Sequence, residues 1–275
     1  MKVLLGYIDR PSVVHQLTGA TKLLGVMLWS VAAMTTYDTR VLVCLIAMSL
    51  VIFAVSKIKV SDISFVLTFI LIFLLLNNLA IFLFSPEEGV RIYGTRHELF
   101  HIVGRYNVTQ EQLFYMLNIS MKYFAVIPMA LLFVVTTNPS EFAASLNRIG
   151  VSYKISYAVA IALRYIPDIQ RDYHNIALAQ QARGIDISRK EKFWKRVKNA
   201  AAIVLPLIMQ SLSRIEVISN AMELRGFGKG KGRTWYSARP FVRRDYIAIA
   251  FVSVVMVLSL VVTFHDGSRF YNPFL

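Results

Sequence analysis

The chain has 275 residues, 56% of them hydrophobic, and a net charge of +14 from 30 Lys and Arg against 16 Asp and Glu. A mean hydropathy of +0.54, with several uncharged apolar runs, excludes an ordinary soluble domain and places the chain among integral membrane proteins, and the helical spans and module expected below make its fold class all-α. The excess of Lys and Arg is explained first by loops kept on the cytoplasmic side rather than by nucleic acid, and the single cysteine, Cys44, excludes a disulfide framework or a cysteine-based metal site.

The opening MKVLLGYIDRP has too short an apolar stretch, broken by Asp9 and Arg10, for a cleaved signal peptide. A helix needs about 20 mostly apolar residues to cross a bilayer. Five segments meet or approach that length: Leu17 to Tyr37, Val41 to Ser56, Ile63 to Phe84, Leu113 to Val135 and Tyr246 to Phe264. The second is short and needs flanking residues or a thinned bilayer. In the third, Asn77 and Asn78 suit hydrogen bonds between helices. In the fourth, Lys122, near Asn118 and Ser120, is costly against lipid, so it faces the bundle interior or snorkels to the outer interface.

Between the fourth and fifth spans, residues 138 to 245 carry 19 Lys and Arg against 8 Asp and Glu, which makes this segment cytoplasmic. The N-terminus (Lys2, Arg10) and the loop with Lys57 and Lys59 then lie inside as well. The Ser85 to Gln110 loop and the C-terminus lie outside. The expected organisation is 1–137 for spans one to four, 138–245 for a cytoplasmic module of three amphipathic helices, and 246–275 for the final span.

Within the module, Pro139, Ser140 and Glu141 signal a helix start before Phe142 to Ile149, with Gly150 as the stop. A second helix is expected over Ser152 to Arg183, kinked near Pro167, and a third over about Val197 to Arg225, kinked at Pro206. Both carry small and apolar positions (Ala158, Ala162, Ala177 and Ala179; Leu205, Ile208, Leu212, Ile215 and Ile218) that suit packing on each other or on a membrane surface. Their ends repeat a pattern: Ala179-Gln-Gln-Ala-Arg183-Gly184 and Ala221-Met-Glu223-Leu-Arg225-Gly226. Arginine favours the negative end of a helix dipole, and glycine takes the left-handed cap without Cβ strain. The alanine sits one turn behind each guanidinium. Two such tips suggest two matching sockets. The proline-to-arginine spacings, 16 and 19 residues, differ by about one turn, a weak structural repeat. The basic stretches Arg189 to Lys198 and Lys229 to Arg233 suit solvent or membrane lipid.

Two motifs point elsewhere. His97-Glu98-Leu-Phe-His101 matches the pattern in which two histidines one helical turn apart bind zinc and the glutamate activates water, so an outside-facing membrane metallopeptidase is the alternative reading. Asn107 stands where a third ligand is wanted, and Glu111 is too close for the usual distant glutamate. The bland reading is an external helix with ordinary histidines. The run Gly226 to Arg233 lacks the Gly-Lys-Ser/Thr ending of a phosphate loop and follows a helix, so it reads as a flexible basic connector. No Ser/His/Asp arrangement is visible, so neither catalysis nor a cofactor is expected. A third reading is a membrane scaffold without transport.

TTNPSEF at Thr136 to Phe142, LRYIPDI at Leu163 to Ile169, and the two Ala-Arg-Gly type motifs resemble those of the transmembrane T component of energy-coupling factor transporters, ABC-type importers of vitamins and trace metals. The resemblance covers the order of parts across most of the chain. It implies a non-catalytic coupling subunit in a bacterial or archaeal cell membrane. Its partners would be two ABC-type ATPase subunits and a small, separate substrate-binding membrane subunit. By the same resemblance Arg183 and Arg225 pair with acidic residues of the ATPases, Ala179, Gly184, Ala221 and Gly226 allow close approach, and Arg164, Pro167, Pro206 and Glu223 support the two helices.

Overall fold

The computed structural model describes residues 10–103, 106–185, 193–230, 234–265 and 268–274. Its helices and strands run in the order α1 (Val13–Gln16), α2 (Gly19–Thr35), α3 (Thr39–Val55), α4 (Val60–Phe84), α5 (Glu88–Tyr93), β1 (Glu98–Val103), β2 (Tyr106–Thr109), α6 (Gln110–Thr136), α7 (Pro139–Arg148), α8 (Tyr153–Ala182), α9 (Phe193–Leu224) and α10 (Arg243–Phe264). The chain divides into two compact units, 1–138 with 239–275, and 139–238. The basic stretch before Lys195 and the end of the Lys229 to Arg233 run fall largely outside the described residues.

In the first unit α2, α3, α4, α6 and α10 form an up-and-down arrangement whose directions follow from their bonds. Thr18, just before α2, donates through its N–H to Asp245 at the start of α10 at 2.8 Å, and Thr263 near the end of α10 donates to Thr36 just after α2 at 2.7 Å. These two helices are parallel. Lys22 Nζ donates to the Thr136 carbonyl at the end of α6 at 2.8 Å, so α6 runs opposite to α2. Thr39 at the start of α3 donates to Asn118 in the first half of α6, and Asn78 near the end of α4 donates to Ser120. One end of the unit therefore gathers the starts of α2, α4 and α10, the ends of α3 and α6, and the Arg10 guanidinium bound to the Lys57 carbonyl.

The core is built on small residues that let backbones approach, as expected where lipid offers no hydrophobic contrast. Ala32, Ala33 and Ala125 are fully buried around Trp29, whose indole N–H donates to the Ala125 carbonyl at 3.0 Å. Val41 and Leu45 of α3, Met129 of α6 and Val252 of α10 complete this cluster. Lys122 is buried, with Nζ donating to the Met34 carbonyl at 2.8 Å and lying 3.1 Å from the centre of the Tyr37 ring. It thus faces the bundle rather than snorkelling. Asn78 makes the expected bond between helices, whereas Asn77 Oδ1 is buried with no partner among the described residues.

Among the described residues four helical stretches are long and apolar enough to cross a membrane: Ile63–Phe84, Gln110–Thr136, Val197–Leu224 and Arg243–Phe264. The helices α2 and α3, of 17 residues each, span about 25 Å at 1.5 Å per residue and lie at the short limit for crossing. The length and apolarity of α9 are greater than its expected role as an amphipathic helix requires.

At the other end of the first unit stands a small cap. The expected external helix through HELFH is not formed: β1 and β2 pair as an antiparallel hairpin, with His101 opposite Asn107. α5 lies against the start of α6 so closely that a Cβ on Gly89 would sit 2.5 Å from the Gln112 backbone nitrogen. The C-terminal segment closes over this cap. The Arg269 carbonyl accepts the Tyr37 N–H at 3.0 Å, Asn272 Nδ2 donates to the Tyr93 carbonyl at 3.1 Å, and Phe274 packs against Tyr93, His97 and Phe114.

Candidate functional site

In the second unit Pro139 opens α7 at the first helical position, where its missing N–H costs nothing, and Gly150 ends that turn at φ +107. Ser152 caps α8 through its hydroxyl on the Ile155 N–H. α8 and α9 are antiparallel neighbours. Gln180 Nε2 near the end of α8 donates to the Ala202 carbonyl at 3.1 Å, and Phe227, just past the end of α9, packs on Tyr153 and Tyr157 at the start of α8 with ring centres 5.6 and 4.9 Å apart. The two Arg-Gly tips therefore lie at opposite ends of the pair, which at 30 residues of α8 spans about 45 Å.

The two tips share one backbone geometry. At the first, the Gly184 N–H bonds to the Gln181 carbonyl and the Ile185 N–H to the Gln180 carbonyl, at 2.9 and 3.0 Å. At the second, the Gly226 N–H bonds to Glu223 and the Phe227 N–H to Met222, at 2.8 and 2.9 Å. This is the Schellman termination in both cases, with the arginine as cap and the glycine next. It requires a left-handed residue after the arginine, and Gly184 and Gly226 supply φ +82 and +65. Space is not the reason for glycine, since a Cβ at Gly184 would meet nothing within 4 Å. Ala179, Arg183, Ala221 and Arg225 are all exposed.

The structure thus gathers Ala179, Arg183 and Gly184 at one tip, and Ala221, Glu223, Arg225 and Gly226 at the other. Arg164, Pro167 and Pro206 lie inside the helices, away from both. Between α8 and α9 runs an apolar groove of about 390 Å³ lined by Ala158, Ile161 and Ala162 on one side and Ile215 and Ile218 on the other. Ala177 and Ile203 are buried in the second unit, but Leu205, Ile208, Leu212 and Ile215 stay exposed, so packing of the two helices leaves most of their apolar residues uncovered. Contiguous exposed apolar surface marks a site for a protein or a membrane.

The zinc motif comes apart. Four residues along a strand cover about 13 Å, too far for two histidines to share one ion at about 2 Å each. Instead His97 Nδ1 meets Glu111 Oε1 at 2.6 Å and His101 Nδ1 meets Asn107. Glu111 also accepts the His97 N–H and the Thr95 hydroxyl, so this fully buried carboxylate anchors the hairpin to α6. Among the described residues no group of three or more His, Cys, Asp or Glu side chains is placed to hold a metal ion. Burial pushes the Tyr93 phenol up to about 12.

The reading of the sequence missed one polar centre. Asp245, assigned by charge to the end of a loop, is buried and accepts from Thr18 N–H and hydroxyl, the Thr21 hydroxyl and the Val242 N–H. The available signal was an acid three residues into a helix start, the position of a capping box.

Residues 10–236 match the family described as CbiQ, cobalt transport protein. The chain is 29% identical over 252 residues to the energy-coupling factor transporter transmembrane protein EcfT of Bacillus selenitireducens, covering 89% of this chain and 90% of that protein. It is 28% identical to the EcfT protein of Brevibacillus brevis, with 92% and 94% covered, and 25% identical to that of Staphylococcus aureus, with 96% and 98% covered. With an all-α membrane architecture and a family match over most of its length, this chain belongs to the CbiQ family of transmembrane transport proteins.

Proposed function

We propose that this chain is the transmembrane coupling subunit of an energy-coupling factor type importer, and that Arg183 and Arg225 are its contacts with two ABC-type ATPase subunits. The observation that carries this reading is the pair of identical Schellman tips, each presenting an exposed arginine, at opposite ends of one antiparallel helix pair. One tip suits one socket, and two tips held apart suit two. An arginine can meet a carboxylate bidentately, which fixes orientation as well as strength.

On this reading ATP is hydrolysed on the partners and the chain itself is not an enzyme. The uncovered apolar residues of α8 and α9 hold a small substrate-binding membrane subunit, which would carry a vitamin or trace metal. Residues 138–245 and the N-terminus lie in the cytoplasm and the C-terminus outside. The up-and-down order supports this, because Arg10, Lys57, the end of α6 and the start of α10 share one end of the first unit. The zinc alternative has lost its helix, and nothing in the fold favours a scaffold without transport.

The test is to co-express the chain with its ATPases and purify it through a tag on the chain. Wild type is expected to retain both ATPases, whereas Arg183→Glu with Arg225→Glu inserts normally but loses them, together with uptake. Full ATPase recovery by that double variant would mean that the tips are helix caps and nothing more.

A further inference from the structure

Two thirds of the way along each helix, Asp172 of α8 and Arg214 of α9 meet in a largely apolar seam. Arg214 Nη2 donates to Asp172 Oδ2 at 2.8 Å, with the two side chains 31% and 18% exposed respectively. The guanidinium lies 5.7 Å from the centre of the Tyr165 ring. The apolar groove lies to one side, and a polar pocket of about 470 Å³ with Asp168, Arg171 and Asn175 to the other. Asp168 and Arg171, both on α8, approach each other at 3.8 Å, whereas Asp172 and Arg214 join one helix to the other.

The positions of these two residues match. Asp172 is 11 residues before Arg183, and Arg214 is 11 residues before Arg225. Eleven residues make about three turns, a rise of about 16 Å, with only about 20° of residual rotation. Each partner of the ion pair therefore stands on nearly the same helical face as its own tip arginine, at the same distance. Neither 172–183 nor 214–225 contains proline or glycine, and Pro167 and Pro206 both fall on the far side of the pair. Two stiff arms of equal length run in opposite directions from one polar point.

We propose that the Asp172–Arg214 pair is the fulcrum of these arms: it fixes Arg183 and Arg225 relative to each other, so that movement imposed at one tip is returned at the other. The inference rests on the coupling function proposed above. Asp172 and Arg214 are positioning residues that touch neither nucleotide nor substrate. A half-buried arginine–carboxylate pair suits this role because it resists sliding, which a purely apolar seam does not.

The test uses the full complex in proteoliposomes, with uptake and ATP hydrolysis measured on the same sample. The variants are Asp172→Asn, Arg214→Gln and the exchange Asp172→Arg with Arg214→Asp. All are expected to retain the ATPases. Each single variant should lower the substrate taken up per ATP by about tenfold, and the exchange should restore at least half of the wild-type ratio. Spin labels on Leu178→Cys and Asn220→Cys, exposed on the two arms outside the tip motifs, in a Cys44→Ser background, should give a narrow distance that shifts with ATP in wild type and in the exchange, and a broad one in the single variants. An unchanged uptake-to-ATP ratio in the single variants would overturn the fulcrum while leaving the coupling role standing. So would an exchange that inserts but recovers neither ratio nor distance. Wild type that retains no ATPase would remove the coupling role and the fulcrum with it.

Discussion

The Asp245 carboxylate accepts the Thr18 backbone N–H at 2.8 Å and so joins the first residues of two helices 227 positions apart. The same oxygen takes the Thr18 and Thr21 hydroxyls, and the other takes the Val242 N–H, so one anion serves the positive ends of both α2 and α10. Asp245→Ala leaves these donors buried without an acceptor and should cost about 3 kcal/mol. Asp245→Asn keeps the shape and part of the acceptor capacity and should cost about half as much. Thermal unfolding in detergent checks both, with the exposed neighbour change Arg243→Ala expected to stay within about 0.5 kcal/mol of wild type.

At the tips, glycine is required by the backbone rather than by the space around it. Gly184→Ala and Gly226→Ala place a Cβ at φ +82 and +65, which should cost about 1 to 2 kcal/mol locally and fray the last turn that orients each arginine. Gly184→Asn, which tolerates the left-handed region, should recover most of the loss. Hydrogen exchange of the Gly184 and Ile185 amides reports fraying, and ATPase recovery reports its consequence. Weaker recovery in the alanine variants, with global stability unchanged, is the expected result.

The apolar runs were legible because they are long and uncharged, and both ends of α8 and the end of α9 were legible because Ser152 and the two Arg-Gly pairs mark them, whereas α9 starts at Phe193, four residues before the expected Val197. The hairpin was not. HELFHIV was matched by residue identity to a helical motif, although Ile102, Val103, Val108 and Thr109 supply the β-branched positions that favour paired strands. Asp245 was counted as one charge in a basic segment. Its role depends on Thr18 and Thr21, a contact across 227 residues that local pattern does not encode. The tips were visible in the repeat itself. That they sit at opposite ends of an antiparallel pair required the Phe227 contacts with Tyr153 and Tyr157.

Two acids of the cap, Glu111 and Glu98, should differ in how much stability rests on their contacts. Glu111 is fully buried and depends on His97 and Thr95, whereas Glu98 is half exposed and pairs with Arg96 at the surface. His97→Ala should destabilise by about 1 to 3 kcal/mol by leaving the Glu111 carboxylate short of a donor, while Glu98→Gln should be nearly silent. A zinc enzyme would show the reverse order in activity, with Glu98 dominant. Thermal unfolding of the two variants, with zinc content measured on the same preparations, separates these outcomes; no stoichiometric zinc is expected.

Tyr93 gives the cap a pH limit. Only 4% of its surface is exposed, and burial raises its phenol from 10.0 to about 12. Below about pH 10 the phenol is neutral whether the cap is folded or open, so its contribution to stability is constant there. Between 10 and about 12 the opened form loses a proton that the folded form retains, and stability falls as pH rises, by at most about 2 to 3 kcal/mol. Tyr93→Phe keeps the ring among Phe114, Phe270 and Phe274 while removing the proton. The variant should therefore lose less apparent Tm than wild type between about pH 9 and about pH 11. An identical loss in the two proteins would place the alkaline sensitivity on other groups, and a larger loss in the variant would mean that the hydroxyl stabilises the cap through a bond of its own.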